Sequence, residues 1–98
     1  MSEFRLSNRA TVRLQEIYLF SEDRFGRYQA EAYLAGVKRS FELLAEFPRM
    51  GRSADDIAPG LRRFRYQSHH VIYSLESDHI LIRGLPHVSQ KLRPDLFE

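Results

Sequence analysis

The sequence predicts an α+β fold: strand, helix, helix and three antiparallel strands, with the helical hairpin packed on one face of the sheet. Three observations point there. Two apolar stripes at helical spacing are separated by little more than Gly26. A stretch punctuated by Pro48, Gly51, Pro59 and Gly60 follows them. Three short apolar runs then come in quick succession up to Leu85.

Each element has its own local reason. Glu3 to Ser7 alternates, with Phe4 and Leu6 on one side, and reads as a short strand. Ser7 or Asn8 can cap the next helix by accepting a free backbone N–H. That helix carries Ala10, Leu14, Ile17, Tyr18, Ser21 and Phe25 on one stripe. Gly26 stops it because glycine tolerates positive φ. A second helix runs from about Tyr28 to Ala45 on Ala30, Leu34, Val37, Phe41 and Leu44, and Pro48 ends it. So short a junction makes the pair antiparallel. Of the aromatic residues Tyr18, Phe25, Tyr33 and Phe41, most are expected in the core.

Arg49 to Gly60 reads as a loop. The three strands are Leu61 to Gln67, His70 to Glu76 and His79 to Leu85, with Ser77-Asp78 as a two-residue turn. Ile80, Leu81 and Ile82 are apolar on both faces, as an inner strand requires. His87 to Glu98 is a short tail. Ninety-eight residues make one domain, 1–98, with no room for a second core.

Composition excludes several function classes. No run approaches the ~20 apolar residues of a bilayer span. The N-terminus lacks the apolar core of a signal peptide, and the absence of cysteine fits a reducing compartment, so a cytoplasmic location is expected. Without cysteine, and with four histidines lacking HxxxH spacing, neither a metal site nor a cofactor is expected. The net charge of +2 supports non-specific nucleic-acid binding only weakly. Thirteen of the fifteen basic residues are arginine, the exceptions being Lys38 and Lys91. Arginine presents a flat fork to carboxylates and phosphates. A GC-rich genome produces the same bias, so it decides nothing alone.

Several segments in a fixed order carry a family resemblance. They are "LSNRA" into the first helix, "FGRYQAEAY" across the junction and "LLAEFPRMGR" at the end of the second helix. "IAPGLRRFRYQSHHVIYSL" and "ILIRGLPH" follow, the last with Pro86 inserted between leucine and histidine. Together they span nearly the whole chain and resemble the ParE branch of the RelE/ParE toxin superfamily. The resemblance implies the toxin of a bacterial type II toxin–antitoxin pair that arrests growth by poisoning DNA gyrase. It also implies a ParD-like ribbon-helix-helix antitoxin whose extended C-terminal segment wraps the toxin. Operator DNA is then reached only indirectly, through the antitoxin.

The RelE branch shares the fold but cuts mRNA on the ribosome, which requires a base, an acid and fixed cations at the phosphate. Arg62, Arg83 and His87 are the candidates for that chemistry. Arg83 and His87 have the same parity and would share a face on a regular strand. Against it, RelE-like nucleases use a tyrosine or paired lysines that have no clear match, and no ordered base stands out beside the loop carboxylates Asp55 and Asp56. The alternative is a binding surface drawn from Arg52, Arg62, Arg63, Arg65, Arg83 and His87. Arg62 shares the parity of Phe64 and Tyr66, so it must pair or snorkel if those aromatics face the core. Arg52 can instead anchor the loop through carbonyl hydrogen bonds. His69 and His70 sit at a turn, where a solvated or capping role is the ordinary one. An apolar groove at the edge of hairpin and sheet would suit an antitoxin helix. A relative that binds without toxicity is the remaining alternative.

Overall fold

A computed structural model describes residues 3–97; Met1, Ser2 and Glu98, at the ends of the expected 1–98 domain, lie outside the described residues. The elements are β1 (Phe4–Leu6), α1 (Asn8–Phe25), α2 (Arg27–Glu46), β2 (Arg52–Ser53), β3 (Leu61–Tyr66), β4 (His69–Leu75) and β5 (Ile80–Gly84), closed by a 3-10 turn at Pro94–Phe97.

The helix signals act where the sequence places them. The Ser7 hydroxyl accepts the Ala10 N–H at 3.1 Å as the N-cap of α1. Gly26, at φ 89°, ends α1 by donating to Glu22 and begins α2 by accepting from Ala30. Ala30, Val37, Phe41 and Leu44 are buried along α2, as the stripe requires. The α1 stripe fails at its far end, because Phe25 is 57% exposed. Eighteen helical residues extend about 27 Å, whereas five to seven strand residues cover only about 17–23 Å. The hairpin is therefore longer than the strands it packs on, and Leu19, Phe20, Phe25 and Tyr28 near its tip are exposed.

The sheet has five strands in the order β1-β5-β4-β3-β2. The inner meander is antiparallel, but β1 lies parallel to β5, with Phe4 opposite Ile80 and Leu6 opposite Ile82. Residues 49–60 are not wholly a loop: Arg52 and Ser53 pair with Arg63 and Arg62 as β2. Two residues carry no periodic signal, so only the partner strand defines this edge. Between β4 and β5, Glu76 N–H donates to His79 C=O around Ser77-Asp78. The turn before β4 falls at Gln67-Ser68, with Gln67 at φ 49°, one residue earlier than the predicted strand ends imply.

Side-chain alternation gives the sheet two unlike faces. Toward the helices, Val71, Tyr73, Ile80 and Ile82 meet Val37, Phe41 and Leu44 in the main core. On the far face, Leu61 and Ile72 are covered by Ala54, Ile57 and Phe97 from the loop and tail. The C-terminal tail is thus a packing element. A Cβ added to Gly84 would come within 2.5 Å of the Phe97 ring, so only glycine admits that ring here. The Tyr73 hydroxyl, pushed up in pKa chiefly by burial, donates to Pro48 C=O and accepts from Gly51 N–H. It pins the connection between α2 and β2.

Candidate functional site

The three residues a nuclease would need are not brought together. Arg62 lies on the helix side, where its Nε donates to Gly51 C=O at 2.9 Å and one Nη to Arg49 C=O at 3.3 Å. This is the pairing that its parity with Phe64 and Tyr66 demands. It is also the carbonyl anchoring expected of Arg52, whose side chain makes no hydrogen bond among the described residues. Arg83 lies on the far face, donating from Nε to Ser74 Oγ at 3.0 Å and from Nη1 to Phe97 C=O at 3.1 Å. The expectation that Arg83 and His87 share a face fails because the strand is irregular. Ile72 opposes Gly84 while Tyr73 opposes Ile82, so Arg83 is the extra residue of a bulge. Past Pro86 the chain rejoins the sheet, where His70 N–H donates to Pro86 C=O and Val88 N–H to Ser68 C=O. That delivers His87 opposite His69.

Two other clusters form instead, one on each side of the sheet. On the helix side, the Tyr33 hydroxyl lies 2.8 Å from His69 Nδ1 and accepts Ser68 N–H at 3.2 Å. The His87 ring stands edge-on to His69, with centroids 5.4 Å apart. Burial, followed by the charges of Arg13, His87 and His70, pushes His69 down to about 4, so its imidazole is neutral at pH 7. A neutral Nδ1 without a proton can then accept a hydrogen bond from the Tyr33 hydroxyl, which keeps its proton because burial raises its pKa above the ordinary range. His69 therefore has a tyrosine partner here, beyond the solvated or capping role expected of a turn histidine. The two residues are 36 positions apart, and Tyr33 sits on a stripe that reads as core, so no sequence signal pairs them. A cleft of about 270 Å³, walled by Phe20, Phe25, Gln29, Tyr33, His69 and His87, opens beside them under the hairpin tip.

On the far side, register assembles a cationic face. Arg52 opposes Arg63, and Arg65 opposes His70. Arg63 Nη2 is 3.2 Å from each oxygen of Asp56, and Arg65 Nε donates to Gln67 C=O at 2.8 Å. Burial first, then Arg63, Arg65 and Arg52, push His70 below the usual imidazole range. It is not the solvated turn histidine expected from sequence. The alternation of Arg63 and Arg65 was visible; their meeting with His70 depended on placing the turn at Gln67-Ser68. No group of three or more metal-ligating side chains occurs among the described residues.

The comparisons agree with this architecture. The family model described as "ParE toxin of type II toxin-antitoxin system, parDE" matches residues 4–92. The chain is 36% identical over 96 residues to Toxin ParE1 of Caulobacter vibrioides, covering 98% of this chain and 99% of the relative. It is 36% identical over 77 residues to Toxin ParE1 of Mycobacterium tuberculosis, covering 79% of each. Among solved structures, one titled "Chromosomal ParDE TA system from P. aeruginosa" superposes with a TM-score of 0.80 at 16% identity, covering 91% of this chain and 98% of the other; at that identity it shows the shared fold. The chain belongs to the ParE toxin family of type II toxin–antitoxin systems.

Proposed function

We propose that this toxin, acting as a single domain in the cytoplasm, arrests growth by binding and poisoning DNA gyrase, and that a ParD-like ribbon-helix-helix antitoxin neutralises it. One observation carries the reading. Arg62 and Arg83, the cations a nuclease would hold at the scissile phosphate, donate instead to backbone carbonyls and a serine hydroxyl on opposite faces of the sheet. Transition-state stabilisation needs donors aimed at one point, and these are aimed at two. Poisoning by binding needs no such convergence. Arg52, Arg63 and Arg65 are then the contact residues, Arg62 and Arg83 the framework, and His87 a wall of the cleft. The exposed apolar tip of the hairpin, with Phe20 and Phe25 over that cleft, gives an antitoxin helix its apolar seat. Operator DNA is reached through the antitoxin.

The test is a titration of purified toxin into gyrase supercoiling and DNA-cleavage reactions, beside a translation reaction programmed with labelled mRNA. Supercoiling should fall, cleaved DNA should accumulate and the mRNA should stay intact. Gyrase left untouched at stoichiometric excess refutes the target. The neutral His69 beside His87 favours a second reading, ribosome-dependent RNA cleavage; its signature is mRNA cutting abolished by His87→Ala.

A further inference from the structure

We propose that the arginine face formed by Arg52, Arg63 and Arg65 is a phosphodiester-binding surface through which the toxin contacts the backbone of duplex DNA directly, without the antitoxin. The first support is that this face is electrostatically unfinished. Arg52 and Arg63 stand directly opposite each other on neighbouring strands, an arrangement of like charges that destabilises a sheet. Arg65 lies two positions along from Arg63, roughly 6.7 Å at strand rise. One carboxylate, Asp56, meets these three guanidinium groups, and it touches only Arg63. By contrast, Arg62 and Arg83 are held by framework hydrogen bonds, and Arg5 and Arg27 by Glu3 and Glu31. The second support is local. Among the described residues, the two buried side-chain polar atoms without a partner, Arg63 Nε and His70 Nδ1, both belong to this face. An oxyanion settling there relieves the charge repulsion and, with a small turn of the Arg63 side chain, supplies the missing acceptor.

The surroundings favour a nucleic-acid backbone over an acidic peptide. A peptide added as a strand needs an open sheet edge. Leu61 C=O accepts Ala54 N–H, and Arg63 C=O faces Gly51, so alternate residues of β3 point toward β2. By that alternation, Arg65 alone of β3 offers an outward N–H and C=O beyond β2 before the turn at Gln67. The edge strand β2 is itself only two residues long, so a peptide strand finds little edge to pair with. A peptide docking by side chains needs buried anchors, yet besides the arginines and His70 only Met50, Gly51 and Phe64 line the cleft. Phosphate binding is led by charge and needs neither.

The experiment is fluorescence anisotropy of a labelled 20-base-pair duplex with the purified full chain, in the absence of gyrase, over a series of salt concentrations. Three phosphates neutralised at about 0.9 each give a slope of log Kd on log salt of about 2.7, with Kd about 1–100 µM at physiological salt. Arg65→Ala should lower the slope by about 0.9 and weaken binding about fivefold at physiological salt. Arg52→Ala with Arg65→Ala should double the loss in slope. Both side chains are exposed, so matching unfolding curves will confirm that the variants fold. Arg5→Ala, on β1 at the opposite edge of the sheet, should change neither quantity. No binding at low salt, or an unchanged slope in the double variant, overturns the proposal. Tighter binding of single-stranded RNA overturns the duplex assignment, and displacement of DNA by an equimolar acidic peptide reassigns the face to an antitoxin segment. Because gyrase is absent, failure here leaves the gyrase reading standing, and the reverse holds too.

Discussion

His69 and His70 are neighbours in sequence, yet they report on opposite sides of the sheet. His69 faces the helices, held by Tyr33 and flanked by His87. His70 faces away, among Arg52, Arg63 and Arg65, with Nδ1 lacking a partner. Both are shifted to the neutral form, one mainly by enclosure and the other by enclosure together with arginine charge. The helix side holds the main core and opens only at the cleft under the hairpin tip, whereas the far side is half covered by a tail and left with uncompensated charge. The main core lies on the first side, while the second carries the arginine face proposed above for contact, a division common where binding surfaces are not optimised for folding.

The comparison breaks most severely at Phe41, fully buried between hairpin and sheet. Phe41→Ala should cost about 3–5 kcal/mol in urea unfolding, a large part of the stability of so small a domain. A loss under 1 kcal/mol would mean the helix side is not the stabilising one. Tyr73→Phe comes next, since it strands Gly51 N–H and Pro48 C=O, and about 1–3 kcal/mol is expected in the same measurement. Acid should expose the histidines. Their folded pKa values lie below the unfolded value, so between about pH 6.5 and 4 the unfolded chain binds more protons. The unfolding midpoint should therefore fall as pH drops through that window, and His69→Gln should flatten the dependence. A midpoint constant from pH 7 to 4 contradicts the enclosed neutral imidazole. The smallest effect has the opposite sign. Arg52→Gln removes one member of the opposed arginine pair and should stabilise by about 0.2–1 kcal/mol. A destabilised variant would show that the arginine face contributes to folding.

What could be read in advance followed the range of each signal. The caps at Ser7 and Gly26, the α2 stripe and the apolar run of β5 are local, and each falls where its residues place it. β2 is two residues long and exists only because Arg62 and Arg63 pair with it. The bulge at Arg83 is a mismatch between two strands, invisible in either alone, and it separates Arg83 from His87. Phe25 reads as core because periodicity says nothing about where the sheet beneath a helix ends. The arginines of the candidate surface were legible as residues, and Arg63 and Arg65 as sharing a face. Their grouping with Arg52 and His70 was not, since it depends on two strand registers.

The parallel pairing of β1 with β5 has a consequence for how the toxin is made. Phe4 leaves the ribosome long before Ile80 and must wait for it before its strand has a neighbour. Until then the helical hairpin has no Ile80 or Ile82 to pack on, and Phe97, which covers the far face, arrives later still. Contacts so distant along the chain close last. Synthesis halted before β5 thus leaves the apolar stripe of the hairpin without its strand partners Ile80 and Ile82. The order of elements leaves the fold incomplete until β5 and Phe97 have been made.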